Sequence, residues 1–149
     1  MKIDEIIKTN FKTPQHKAIV NLRFTANYFI NFQNSFMLEF DLTMPQFNIL
    51  RILRGAKGSL SVNSVKERMV ERSPNLTRIM DKLVSKDLIK RFQCNNDRRT
   101  VFIEINEKGL ELLQNIDFKM EKTNLFPQNL SNEEAEQLSY LLDKIRNSL

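Results

Sequence analysis

The sequence predicts a mainly α-helical protein with one small β-hairpin, on three observations. Apolar residues recur at three- and four-residue steps through most of the chain, the spacing of one helical face. Toward residue 105 that spacing gives way to alternation. There Val101, Ile103 and Ile105 interleave with Thr100, Phe102 and Glu104, the period of a strand with one buried face. Just before them, Asn95, Asn96, Asp97, Arg98 and Arg99 are turn-forming and cationic, the tip of a hairpin.

Taken in order, a polar arm leads to Thr13 and Pro14, a cap and first helical residue, opening a long helix to about Phe40. Leu22, Ala26, Phe29, Phe36 and Phe40 fall on one stripe, interrupted by Gln33, while Phe24, Tyr28, Ile30 and Phe32 add apolar surface on other sides. A helix this apolar around its circumference needs more than one neighbour, and some of that surface is expected to meet a second subunit. Thr43 and Gln46 are spaced as a capping box before Phe47, Leu50 and Leu53, and Gly55 and Gly58 are expected to stop that helix. Ser61 is the expected N-cap of a third helix with Val62, Val65 and Met69 inward.

After a turn at Val70 to Arg72, Ser73 and Pro74 are expected to start a fourth helix. Its buried stripe is Leu76, Ile79, Met80, Leu83 and Val84, which leaves Arg78, Asp81, Lys82 and Ser85 facing away. Two short helices joined by a tight turn, the second with a basic outer face, make the pattern of a helix-turn-helix. Strands at Leu88 to Cys94 and Thr100 to Ile105, with an arginine-bearing tip, then make a wing. Asn106 caps a further helix carrying Leu113, Ile116 and Met120, and Pro127 interrupts it or follows its end. Ser131 and Glu134 open the last helix in capping-box register, with Leu138, Leu141, Leu142, Ile145 and Leu149 on its apolar face. Such a helix covers its own core or pairs with a copy of itself.

With 149 residues the chain suits one domain with its own core, or a small domain plus an assembly element, and is too short for a two-domain enzyme. No apolar run approaches the roughly 18 residues that span a bilayer, so no membrane partner is expected and the cytoplasm is the expected compartment. Cys94 is the one cysteine, which fits a reducing compartment and precludes an internal disulfide. The net charge of +5 is localised: between Lys66 and Arg99 stand ten bases and five acids, while the rest of the chain balances. A concentrated basic patch is the footprint of a polyanion partner, and equally the signature of a solvated basic face.

Several chemistries are excluded. His16 is the only histidine, so there is no histidine-rich metal site and little to serve as a general base. No Gly-rich phosphate loop or nucleophile triad is present, so the chain is not expected to be an enzyme or to carry a cofactor. Cys94 sits in a wing strand without a second thiol to resolve an oxidised form, which argues against redox sensing. Phe29, Phe32 and Phe36 stand either as plain core or as the lining of a pocket for an aromatic or apolar effector.

The chain resembles the MarR family of winged helix-turn-helix transcription regulators over nearly its whole length. The resemblance is carried by Leu42 and Thr43 opening the second helix, by Asn75, Leu76, Thr77 and Arg78 followed by Asp81, Lys82 and Leu83, and by Asp97, Arg98 and Arg99 leading to Ile103, Ile105, Lys108 and Gly109. It implies one domain over residues 1–149, with a DNA-binding lobe at 42–106 and dimerisation helices at 13–40 and 107–149. It also implies a homodimer on a roughly palindromic double-stranded DNA site, most often as a repressor released by a small ligand. The recognition helix would enter the major groove and the wing arginine the minor groove.

DNA contact is accordingly expected from Ser73, Asn75, Thr77, Arg78 and Lys82 on the helix and from Arg98 and Arg99 on the wing, with Asp97 anchoring the loop. Leu138, Leu141, Leu142 and Ile145 are expected at the dimer interface. The chain departs from the family where it has Asp87 in place of a usual Gly and Asn106 in place of a frequent Thr. Asp tolerates a left-handed backbone and Asn caps well. The competing reading is a winged-helix module that binds protein and not DNA.

Overall fold

A computed structural model describes residues 2–69, 75–93, 100–123 and 129–147. The described elements run α1 Ile3–Ile7, α2 Pro14–Leu38, α3 Met44–Ala56, β1 Leu60–Ser61, α4 Val62–Arg68, α5 Leu76–Ser85, β2 Ile89–Gln93, β3 Val101–Ile105, α6 Glu107–Thr123 and α7 Asn132–Arg146. They fall into two compact units, residues 1–113 and 114–149.

Three helix starts form as their caps dictate. Thr13 accepts from the His16 N–H at 3.1 Å, and Pro14 is the first residue of α2. At α3, Thr43 accepts from the Gln46 N–H (3.4 Å) while Gln46 Oε1 accepts from the Thr43 N–H (2.9 Å), which satisfies two donors that the helix leaves unpaired. Ser61 accepts from the Ser64 N–H at 3.0 Å and starts α4. The arm expected to be merely polar contains α1, whose Ile3 is buried and whose Asp4 pairs with Lys17.

Other expectations are corrected. The helix α3 ends at Ala56, between Gly55 and Gly58 as expected, but the residue that turns left-handed there is Lys57, at φ 53°, whose N–H closes on the Arg54 carbonyl. α5 is described from Leu76 with Asn75 at its N-cap position, which makes no side-chain cap. Ser73 and Pro74 lie outside the described residues, as do Pro127, Cys94, Leu149 and the wing-tip residues Asp97, Arg98 and Arg99. Val84 belongs outside the buried stripe of α5, being 39% exposed, because its direction lies about 90° from the centre of that stripe.

The sheet order is β1-β3-β2, all antiparallel, with Leu60 opposite Ile103 and Phe92 opposite Phe102. A two-residue strand such as β1 is too short to show a period, so the sequence does not reveal it. Phe102, on the strand face expected to be open, is half-buried because its ring stacks on that of Phe92, 6.1 Å away.

Phe47, Leu50 and Leu53 of α3 are buried with Val65 of α4, Met80 and Leu83 of α5, and Ile103 of β3. Burying each such side chain is worth about 1.5–3 kcal/mol, so these residues fix the recognition helix to its lobe. At the far end of α5, Asp87 takes the left-handed conformation, φ 56°. Its backbone carbonyl and Oδ1 accept from Asn106 Nδ2 at 2.7 and 3.1 Å, and Asn106 Oδ1 accepts from the Gly109 N–H at 3.0 Å to cap α6. The two departures from family usage are thus bonded to each other.

Along α2 only Phe36 and Met37 are buried, while Ile19, Leu22, Phe24, Tyr28, Ile30 and Phe32 are exposed. In the second unit, the Ser131 hydroxyl donates to Glu133 (2.7 Å) and accepts from the Glu134 N–H (3.2 Å). That hydroxyl, with the Glu133 backbone N–H, holds the Glu133 carboxyl below its ordinary range. No residue of α7 is buried: Leu138 and Leu141 are exposed, Leu142 and Ile145 half-buried.

Candidate nucleic-acid interface

The outward face of α5 is built by subtraction. Leu76, Met80 and Leu83 are buried and Ile79 half-buried, so Asn75, Thr77, Arg78, Asp81 and Lys82 are left exposed. At about 100° per residue, Arg78 lies some 150° from the centre of the buried stripe, farther round than Thr77 or Lys82 and level with Asp81. Thr77 also edges a groove of about 450 Å³ beside the helix, whose other walls include Val62 and Asn63 of α4 and Arg91 and Val101 of the sheet.

The acid nearest to Arg78 in sequence is engaged elsewhere. Asp81 Oδ1 accepts from Arg91 of β2 at 2.8 Å, an ion pair that joins the recognition helix to the wing strand. Among the described residues no carboxylate pairs with Arg78. An exposed pair of this kind is worth at most about 1 kcal/mol, but two anchored ends give it a geometric role. Sequence reasoning passed over Arg91 as one base among ten. The available signal was its position two residues after buried Ile89, on the strand face that turns toward α5.

Lys86 has a similar structural duty. Its Nζ donates to the backbone carbonyl of Asp41 and to Asp41 Oδ2 (2.7 Å), and its own carbonyl accepts from Lys108 Nζ at 3.0 Å. Asp41 is left-handed, φ 52°, so the end of α2 and the end of α5 meet at two specially shaped turns. With Lys86 and Arg91 tied to acids, the bases that α5 presents are Arg78 and Lys82.

The charge imbalance is larger than the Lys66–Arg99 count indicates. Residues 42–99 hold thirteen bases and five acids, a net +8, whereas residues 100–149 hold five bases and nine acids, a net −4. The lobe is the cationic part and the last third of the chain is anionic. A positive surface concentrated on a helix-turn-helix attracts phosphate through counterion release.

The remaining expected residues do not share one environment. Phe36 is core, its ring 5.4 Å from that of Phe40, while Phe29 is half-buried and Phe32 exposed. Among the described residues no helix is long and apolar enough to cross a membrane.

Residues 42–101 match the model of the MarR family. The chain is 30% identical over 118 residues to the multiple antibiotic resistance protein MarR of Salmonella typhimurium, covering 75% of this chain and 78% of that protein. It is 28% identical over 79 residues to the uncharacterised HTH-type transcriptional regulator YfiV of Bacillus subtilis, covering 53% of this chain, so it spans about half (49%) of that relative's length. The solved structure of a mutant MarR from E. coli, complexed with operator DNA, is similar at a TM-score of 0.67 and 26% identity over 83% of this chain and 89% of that one. On family model, relatives and fold together, the chain belongs to the MarR family of winged helix-turn-helix transcriptional regulators.

Proposed function

We propose that this regulator acts as a homodimeric repressor, with two copies of the 42–106 lobe gripping a palindromic operator. The observation that carries the reading is the face of α5: Arg78 exposed on the side away from the core and without an acid partner among the described residues, on a helix held down by three buried side chains. Arg78 reads a base edge or phosphate in the major groove, Lys82 and Thr77 contact the backbone, and Ser73 and Asn75 meet phosphate near the helix start, where free N–H groups point outward. Arg99 enters the minor groove and Arg98 a flanking phosphate, with Asp97 orienting the loop. The similar E. coli protein was solved with operator DNA, which supports the assignment by kinship.

Dimerisation falls to residues 13–40 and 107–149. The apolar face of α7 has no buried residue, and Leu138, Leu141, Leu142 and Ile145 supply the contact. A two-fold dimer spaces its half-sites about 34 Å apart, one turn of duplex. Sedimentation of the free protein at 17.6 kDa rather than twice that mass would overturn this arrangement. Release by a small aromatic or apolar effector is assigned to the Phe29 and Phe32 stretch of α2, Phe36 being core, where ligand binding shifts the separation of the two recognition helices.

Arg78→Ala is expected to weaken operator binding by about 1–3 kcal/mol, read by gel shift at physiological salt, and to leave the dimer and its thermal transition unchanged. A variant that binds like the unmodified protein removes Arg78 from the interface. If no duplex is bound at all, the alternative of a protein-binding winged-helix module takes its place.

A further inference from the structure

A second cationic feature is built from α3 and α4 rather than from α5. Residues 42–66 contain Arg51, Arg54, Lys57 and Lys66 and not one acid. Between α3 and α4 is a cleft of about 280 Å³ lined by Asn48, Arg51, Ile52 and Arg68. The Arg51 guanidinium lies over the ring of Phe47, 5.6 Å from its centroid, and Phe47 is 2% exposed. An immobile aromatic face therefore fixes where that guanidinium sits, and the ring's negative face holds the cation without neutralising it. Among the described residues neither Arg51 nor Arg68 is paired with a carboxylate.

Two guanidinium groups and a side-chain amide around a small cleft present planar N–H forks, the geometry suited to phosphate oxygens. We infer that Arg51, Arg68 and Asn48 hold a backbone phosphate of the DNA flanking the segment that α5 reads. This rests on the DNA-binding function proposed above. Only residues 69–75 separate Arg68 from the start of α5, a span of at most about 29 Å and less than one turn of duplex. The cleft also belongs to the part of the chain with net charge +8, which favours a polyanionic duplex over a short acidic peptide. The contact carries no base information, so it lengthens the footprint and strengthens binding without changing sequence preference.

The test uses the duplex that the full-length protein selects from a random library. It is prepared at core length and with about ten further base pairs on each side, one helical turn. The Arg51→Ala, Arg68→Gln double variant is expected to bind the core duplex like the unmodified protein. On the longer duplex it is expected to lose about tenfold in affinity, with the log–log salt slope reduced by about 0.9 for each phosphate contact removed. Arg68→Gln alone, at an exposed position in the last turn of α4, gives part of the same change and keeps the test independent of any effect of Arg51 on folding. Unchanged affinity and slope on the longer duplex overturn the inference. So does loss of binding to a polyglutamate peptide with DNA binding intact, which would assign the cleft to a protein partner. Failure of the unmodified protein to select any duplex is a different result, and overturns the DNA-binding function itself.

Discussion

Leu83→Ala is expected to lower the stability of the lobe by about 2–5 kcal/mol, read as a fall in the urea midpoint at unchanged slope. Leu83 is fully buried on α5, a helix of ten residues that packs against α3 and β2. A helix that short is marginal in water, so its order comes from packing and not from propensity. It also starts at Asn75 without a side-chain cap. Removing the Leu83 side chain leaves a void that Met80 and Leu76, on the same stripe, do not span without leaving their own sites. The recognition face depends on that packing, so DNA affinity falls with it. A loss under about 1 kcal/mol would mean that α5 is held by something other than this stripe.

Gly109→Ala is expected to destabilise by up to about 2 kcal/mol, against the direction that helix propensity gives. Gly109 is buried near the start of α6, where alanine ordinarily gains about 1 kcal/mol over glycine. Here a Cβ would lie 2.4 Å from the Leu88 carbonyl oxygen and 2.7 Å from Ile105 Cγ1. The carbonyl has little freedom to retreat because it accepts the Asn106 N–H at 3.2 Å, and Asn106 is bonded in turn to Asp87. Forcing a methyl group into a fixed contact typically costs about 1–3 kcal/mol, which outweighs the propensity gain. A thermal midpoint at or above that of the unmodified protein would show that the junction yields.

These two positions also mark what was legible in the sequence. The stripe of Leu76, Met80 and Leu83 follows from spacing alone, and so does the outward direction of Arg78. The caps at Thr13, Thr43, Ser61 and Ser131 follow from residue type and position. What was not legible depends on tertiary approach. Gly109 matters because a strand carbonyl passes beside it, and Arg91 because its side chain meets Asp81 ten residues away on another element. Lys57, and neither flanking glycine, takes the left-handed position at the end of α3. Lys86 bonds Asp41 across 45 residues, a distance over which local pattern carries no information.

These ties give the lobe its functional character. Asp81 and Arg91 link recognition helix to wing strand, while Lys86 and Asp41 link the same helix to the end of α2. The basic side chains that remain without acids project from a frame braced at both ends. An interface of that kind is expected to read duplex DNA with little rearrangement, because its ordering cost has been met in folding.

Titrating the full-length protein with its selected duplex across a series of salt concentrations probes that interface at its source. Phosphate contacts from α5 and the wing make log K fall linearly and steeply with log salt, by about 0.9 for each phosphate held, and Arg78→Ala is expected to weaken binding across the whole series. An affinity that is flat in salt, with Arg78→Ala indistinguishable from the unmodified protein, would contradict it.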